Sequence, residues 1–580
     1  MPREGRPRAK DPRKSGSRAT NVAAAGRDKS RQARPPRPAD PRRTAYDVLK
    51  AVRDREAYAN LLLPRLLAER QLTGRDAAFA TELAYGTLRG QGIYDAVLAA
   101  CSDRPLAKLD PPVLDVLRLG THQLLNTRVG AHAAVATSVD LAKSVAGPRV
   151  SGYVNAVLRR VTTRDLETWL ALVAPDRAAD RDGYLATRYS HPKWIVATYR
   201  DALGDAADHL VPGTAAAGVS AGVIVSSVPG DSQSASVNIS DTRGGTMRAR
   251  PADDPDAERS PKPHKSADVA AGGAAFTELE AALAAGNVRP RVTLATFPAG
   301  PPREDVMPPD ADPGRWSPYA FTLKSGDPAP LIESGAAAVQ DEGSQLGAIA
   351  LSRAPVDPRP DSSADYGSAD HGSAGRGSTR PERWLDMCAG PGGKARLLYG
   401  LAAELGASLT AAELHPHRAA LVREALIAAS QNIAGQSPVF EAIVADGTNP
   451  PWPDGTFDRV LVDAPCSGLG ALRRRPEARW RKSETDLKDL TTLQRDLLRS
   501  ALAAVRPGGV VAYVTCSPVP AETSEVVTDV AGSTPGVEIL DTPAVLSGIP
   551  GTRAADLRFA QLWPHRHGTD AIFIALLRRT

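Results

Sequence analysis

The stretch RWLDMCAGPGGKARLLYGLAAEL, residues 383–405, decides the fold class. Its first residues read as a short buried strand, its middle is a run of small residues suited to a tight turn, and its last part carries apolar residues at helical spacing. Strand, glycine-rich turn and helix make the opening unit of a parallel sheet. The same alternation continues through ASLTAAEL, PHRAALVREALIAAS, FEAIVAD, FDRVLVDAP, TTLQRDLLRSALAAVR and GGVVAYVTC. It predicts an α/β, Rossmann-like domain: a mainly parallel sheet with helices on both faces, whose ligands gather at the carboxyl ends of the strands.

Residues with chemical potential sit at those ends. Cys388, Ala389, Gly390, Pro391, Gly392, Gly393 and Lys394 form the first turn. Small residues there let a ligand approach the backbone, and the helix that follows offers free N–H groups to a carboxylate or phosphate. Asp386 ends the first strand, Asp446 ends the third, and Glu413 ends the second, 20 residues after Gly393. That last spacing is the one at which an acid commonly takes ribose hydroxyls. The three acids predict a nucleoside-bearing cofactor. The turn lacks GxGxxG spacing and the GK[ST] ending of a P-loop, since Ala395 follows Lys394, so S-adenosylmethionine is the natural candidate.

The fourth strand ends in DAPCSG, Asp463 to Gly468, and the fifth in VTCSP, Val514 to Pro518. Two cysteines at neighbouring strand ends point to thiol chemistry, because N–H groups at such turns can stabilise a thiolate. Carbon 5 of a pyrimidine is a poor nucleophile until sulfur adds to carbon 6. Asp463 is suited to the ring N3 and amino edge, where charge develops on addition. The spacing alone leaves either thiol as the nucleophile.

Elsewhere the chain sets limits. Its 580 residues allow about three or four domains. Hydrophobic residues at 42% and charged residues at 24% suit a soluble globular protein, but Gly and Pro at 49 each exceed the usual share, so part of the length is linker. The four cysteines form no CxxC pair, which excludes a disulfide framework and a Cys-based zinc site, and no metal is expected. A reducing cytoplasm fits best. No apolar run approaches the ~20 residues that span a bilayer, so no membrane segment is expected.

The net charge of +5 is uneven: residues 1–43 hold 14 basic against 4 acidic residues, a net of +10. Residues 1–42 read as a disordered basic tail, suited to a polyanion or to solubility. Residues 43–165 read as an all-α bundle that begins with one amphipathic helix over RTAYDVLKAVRDREAYANLLLPRLLAER; His122 and His132 there read as packed or solvated. Residues 166–330 read as a helical and α+β linker domain with a disordered insertion at 214–269. Residues 331–580 hold the catalytic domain, with a flexible linker at 353–382. RRRPEARWRK, Arg473 to Lys482, suggests a phosphate grip with one stacking Trp.

LDMCAGPGGKA, the VADG stretch ending at Gly447, DAPCSGLGALRRRPEARW and VTCSP together resemble the Sun (Nop2/Sun) family of RNA 5-methylcytosine methyltransferases. VQDEGSQ, Val339 to Gln345, is similar to the segment before that family's cofactor turn. AYANLLLPRLL with RDAAFATELAYGTLR resembles the NusB-like RNA-binding domain of its bacterial members, the ribosomal RNA small subunit methyltransferase B type. The resemblance covers residues 43–213 and 277–580. It implies S-adenosylmethionine held by Cys388 to Lys394, Glu413, Asp446 and Asp463. It further implies Cys516 as nucleophile, Cys466 in product release, a ribosomal RNA substrate and a monomeric enzyme. A transfer RNA cytosine methyltransferase and an inactive RNA-binding assembly or transcription factor are the alternatives. A DNA cytosine methyltransferase, whose Pro-Cys turn Cys466 matches, is disfavoured by the helical module.

Overall fold

Asp40 starts the first helix. Its side chain accepts from the Arg42 N–H at 2.9 Å, with Pro41 at the first helical position, where a missing N–H costs nothing. The computed structural model describes residues 40–211, 276–358, 380–433 and 439–580. Structure therefore begins inside the expected tail of 1–42, whose residues 1–39 lie outside the described residues. The single helix expected from Arg43 is two, Pro41–Arg55 and Ala59–Glu69. Glu56 between them takes a left-handed φ of 52°, and the Ala57 N–H turns back to the Ala51 carbonyl at 3.2 Å, which ends the first helix.

Five more helices, Gly74–Arg89, Gln91–Cys101, Pro111–Asn126, Ala131–Ala146 and Ser151–Val161, complete a bundle around Tyr46, Leu83, Leu98, Leu117 and Leu158. His122 is packed in this core, bonded to the Tyr94 hydroxyl at 2.8 Å and 3.2 Å from Glu82. Helices Leu166–Val173, Arg181–Arg188 and Lys193–Leu203 follow, and strand Leu210–Val211 pairs antiparallel with Phe276–Thr277. The two flanks of the expected insertion thus lie side by side, while 214–269 itself lies outside the described residues. Thr277 and Glu280 form a reciprocal cap that starts helix Glu278–Ala285. A four-stranded antiparallel sheet packed on Leu294, Phe321 and Leu323 leads to helix Glu342–Arg353.

The main sheet comprises β1 (Arg383–Asp386), β2 (Ser408–Glu413), β3 (Phe440–Val444), β4 (Phe457–Asp463), β5 (Val505–Thr515), β6 (Val537–Ile539) and β7 (Phe573–Arg579). They lie in the order β6-β7-β5-β4-β1-β2-β3, with Ala560–Gln561 added beside β7. β1 to β5 are parallel, β7 runs antiparallel to β5, and β6 antiparallel to β7. The chain leaves β1 toward β2 and β3, then returns to place β4 on the other side of β1. That reversal opens a crevice at the carboxyl ends of β1 and β4. Of the expected linker 353–382, residues 359–379 lie outside the described residues, but its ends are tied down. The Asp357 N–H donates to the Gly508 carbonyl at 2.9 Å, and Glu382 accepts from Trp384 Nε1 and Arg459 Nε, each at 2.7 Å. The described ends of the expected linker, 353–358 and 380–382, are held against the catalytic domain.

Among the described residues no helix is long and apolar enough to cross a membrane. The segment after Cys466 joins the catalytic domain to the helical region. Arg479 is fully buried and donates through Nη1 to the Ser190 carbonyl and Asn287 Oδ1, both at 2.8 Å. Glu477 accepts from the Ala59 N–H at 3.1 Å, and Arg481 donates to the Val52, Glu56 and Ala57 carbonyls. Arg479→Ala leaves buried acceptors unpaired, so it should cost about 2–4 kcal/mol of unfolding free energy in urea titration. It should also expose the seam to limited proteolysis; wild-type stability in this variant would rule out the stitching role.

Candidate active site

Gly390 and Gly392 explain the small residues of the first turn. A Cβ on Gly390 would lie 2.2 Å from Glu413 Oε2, and Gly392 has a φ of 113° with Ala425 Cβ 2.9 Å from where its own Cβ would stand. A side chain at Gly390 would displace the Glu413 carboxylate, and one at Gly392 is strained because the backbone there is left-handed. Helix Gly393–Glu404 starts at once, leaving first-turn N–H groups at the crevice. Glu413, nearly buried at the end of β2, accepts from the Gly390 N–H at 3.1 Å and the His415 N–H at 3.0 Å, and lies 3.3 Å from Arg418 Nη1. Asp446 lies two residues beyond β3, not at its end as read, and is exposed. It accepts from Thr448 N–H at 2.9 Å and the Thr448 hydroxyl at 2.7 Å, the hydroxyl bond being the main cause that holds its carboxyl below the usual range.

Asp386 is the anomaly. It is fully buried, and apart from a marginal approach by the Cys388 N–H neither carboxylate oxygen has a hydrogen-bond partner. Burial, then the nearby Asp463 charge, push it up to about 8. Cys388 is driven upward too, by burial first and Asp386 second, so it is a poor thiolate.

At the end of β4, Asp463 pairs with Val514 of β5. Its Oδ2 accepts from Lys394 Nζ at 2.8 Å. Burial disfavours the Lys394 charge, but Asp463 outweighs it and holds Lys394 above its ordinary value. Just beyond, Cys466 Sγ and Cys516 Sγ lie 3.3 Å apart. The two thiols differ. Cys516 is lowered by the hydrogen bond from Cys466, with burial and Asp463 opposing and Lys394 and Arg475 assisting. Cys466 is raised by that same bond, by burial and by the Cys516 and Glu522 charges. Their mutual hydrogen bond is the main cause of the split; Glu522 further disfavours charge on Cys466, while Lys394 and Arg475 oppose Asp463 at Cys516, so Cys516 is the better thiolate.

The structure thus gathers the glycine turn, Glu413, Lys394, Asp463 and both cysteines at one crevice. It does not bear out a phosphate grip along Arg473–Lys482. Arg473 and Arg474 are bound to Asp341 and Asp570, Arg479 and Arg481 are used at the seam, and exposed Arg475 lies over the Tyr58 ring at 4.9 Å. Asp341 lies in the VQDEGSQ stretch: burial opposes its charge, Arg473 and Arg474 outweigh it, and its Oδ1 accepts from the Gly343 and Asp570 N–H groups at 3.0 Å. Glu522, which carries bonds to both cysteine turns, had no sequence signal. Among the described residues no group of three or more His, Cys, Asp or Glu is placed to hold a metal.

The strand order, the switch-point crevice and the glycine turn define a Rossmann-like methyltransferase. A family model described as 16S rRNA methyltransferase RsmB/F matches residues 378–578, and one described as the NusB family matches residues 39–163. "Putative methyltransferase Rv1407" of Mycobacterium tuberculosis is 43% identical over 554 residues, covering 94% of this chain and 97% of that protein. The ribosomal RNA small subunit methyltransferase B of Pseudomonas putida is 28% identical over 550 residues, 93% of this chain and 98% of its own. The chain therefore belongs to the RsmB/F family of S-adenosylmethionine-dependent methyltransferases, with a NusB-family domain at its N-terminus. The crystal structure of PH0851 shares the fold, with a TM-score of 0.62 at 18% identity over 93% of this chain and 99% of that one.

The charge state of Asp386 is open to test. Its folded pKa lies above the ordinary unfolded value near 4, so the folded state binds the extra proton and this group lowers stability progressively as pH rises from about 4 to 8. Asp386→Asn removes that dependence. In urea titrations of the two proteins the variant's advantage should widen from pH 5 to 8 and level off above; a pH-independent difference would show that the buried carboxyl is ionised throughout.

Proposed function

We propose that this chain forms 5-methylcytosine in small-subunit ribosomal RNA, in the cytoplasm, with S-adenosylmethionine as methyl donor. The observation that carries the reading is the 3.3 Å sulfur contact between Cys466 and Cys516 beside the Lys394–Asp463 pair. The ribosomal substrate is supported by the family description and by the name of the Pseudomonas relative.

The residues present fit the cofactor. A side chain at Gly390 would displace Glu413 and one at Gly392 is strained, Asp386 is a buried acid short of donors, and Glu413 ends β2 where ribose hydroxyls are taken. Residues Cys388 to Lys394, Glu413 and Asp446 are assigned to holding it, with Asp463 at the boundary between cofactor and base. S-adenosylmethionine, when bound, supplies a methyl group on a cationic sulfur.

Cys516 adds as thiolate to carbon 6 of the cytosine, and the electron pair displaced from the ring double bond makes carbon 5 nucleophilic. Addition builds negative charge at N3, which takes a proton from solvent; Asp463 then accepts from the N3–H and the amino N–H, and Lys394 fixes its carboxylate. After carbon 5 has gained its methyl group, water beside Cys466 takes the carbon 5 proton to solvent, and the Cys466 thiol donates to the Cys516 sulfur as it leaves. The electron pair left behind reforms the ring double bond and expels the Cys516 thiolate. The lowered Cys516 and raised Cys466 suit these separate roles.

Methyl transfer from tritiated cofactor to bulk RNA, followed by bisulfite sequencing of ribosomal RNA from a deletion strain, tests substrate and position. Cys516→Ala should bring transfer to background with no covalent RNA complex. Cys466→Ala should lower turnover by about 10²–10⁴-fold and accumulate a protein–RNA adduct that survives a denaturing gel. An adduct from Cys516→Ala, and none from Cys466→Ala, reverses the two roles.

A further inference from the structure

We propose that Glu522 is a positioning residue that clamps the Cys466 and Cys516 turns together and decides which of the two sulfurs attacks. The inference rests on the nucleophile assignment above and adds a residue that does not touch the reacting atoms. Glu522 ends the short turn Pro520–Glu522 after β5 and is fully buried. Its Oε1 accepts from the Ser467 N–H at 2.7 Å and from Gln494 Nε2 at 3.3 Å. Its Oε2 accepts from the hydroxyls of Ser467 at 2.5 Å and Ser517 at 2.6 Å.

These partners are the residues next to the cysteines. Ser467 follows Cys466 and Ser517 follows Cys516, so one carboxylate bridges the two turns whose sulfurs are in contact. Gln494 extends the bridge by donating to the Pro465 carbonyl at 2.8 Å, on the other side of Cys466. The backbone of Glu522 is itself fixed: its carbonyl accepts from the Tyr513 hydroxyl and its N–H donates to the Val519 carbonyl. Displacing either turn breaks bonds to a buried carboxylate, which is costly. The clamp therefore holds the sulfur separation against motion of the flanking loops.

The charge acts as well as the geometry. Glu522 holds the Cys466 turn by a backbone N–H as well as a hydroxyl and the Cys516 turn by a hydroxyl alone; its charge raises Cys466, while at Cys516 Lys394 and Arg475 oppose Asp463. A thiol beside a carboxylate keeps its proton, and a thiol beside cations loses it. Glu522 thus keeps Cys466 as the proton-bearing partner and leaves the thiolate on Cys516. An acid that merely filled a buried space would give no such difference between the two sides.

Glu522→Gln separates the two effects, because an amide matches the carboxylate in shape and the serine hydroxyls can rotate to accept from it. The readout is site-resolved iodoacetamide labelling of the full-length protein by mass spectrometry, with thermal unfolding and methyl transfer in parallel. Wild type should label Cys516 faster than Cys466 by about tenfold or more. In Glu522→Gln that ratio should fall by about fivefold with the unfolding temperature little changed, and kcat should fall by about tenfold with KM for RNA unchanged. A folded Glu522→Gln protein with wild-type ratio and kcat overturns the proposal. Ser517→Ala keeps the charge and removes one arm of the clamp. It should keep the labelling ratio and lose kcat, and wild-type kcat there overturns the positioning role even if Glu522→Gln does not fold. If wild type transfers no methyl group but the ratio shifts in Glu522→Gln, the reaction assigned above fails and the clamp stands; an active wild type with an unmoved ratio removes the clamp alone.

Discussion

The register between β4 and β5, which sets Asp463 opposite Val514, is the constraint on which the chemistry depends. Parallel neighbours in this register end at the same height, so the turns that follow them emerge side by side. Cys466 comes three residues after its paired position and Cys516 two after its own. A slip of one residue would turn every side chain of a strand to the other face. The alternation along β5 therefore cannot slip: Val511 and Tyr513 pack in one layer, while Val510, Ala512 and Val514 pack in the other. Core packing on both faces of the sheet is what sets the distance between two sulfurs at the carboxyl ends of its strands.

A second consequence follows the chain out of the Cys466 turn. Within a few residues Arg473 and Arg474 are bound to Asp341 and Asp570, and Arg479 is sunk among carbonyls of the helical region. Burial pushes Arg479 down to about 9, which shows how unfavourable the site is for a charge. Its neutral acceptors offset part of that cost, since a guanidinium carries five donors in a planar fork. The loop that carries one active cysteine is thus also the element that docks the helical region. This ties the orientation of the helical region and the Rossmann-like domain to the residues beside the two thiols.

The elements defined by local pattern were legible in the sequence. Strand, glycine turn and helix over 383–405 announced the sheet, and the two cysteine motifs announced thiols at strand ends. What failed was whatever depends on distant partners. The arginines of 473–481 looked like a solvent-facing grip because the aspartates and carbonyls that engage them lie as much as 429 residues away in the chain. The break at Glu56 was hidden because apolar spacing persists through it, and a left-handed residue without glycine leaves little trace. Asp446 was placed at a strand end because strand limits are the least certain part of such readings. Glu522 gave no signal at all, since a carboxylate six residues after a cysteine acquires meaning only when Ser467 arrives from another strand.

The four cysteines show how far surroundings, not residue type, divide one functional group into different parts. Cys101 sits in the bundle core, pushed up to about 11 by burial, and packs as a small apolar residue. Cys388 is surrounded by the carboxyls of Asp386, Asp463 and Glu413, which add to burial and suppress its thiolate in a turn where negative charge is already plentiful. Cys466 and Cys516 end in the same kind of turn, and their mutual hydrogen bond, Glu522 beside the first and Lys394 and Arg475 against Asp463 at the second separate them. Lys394 is central to that contrast. It belongs to the glycine turn by sequence but bonds Asp463 and favours charge on Cys516, so the glycine turn also sets the electrostatics of the thiol pair. The first turn of the sheet and the charge balance at the two sulfurs are thereby linked through one side chain.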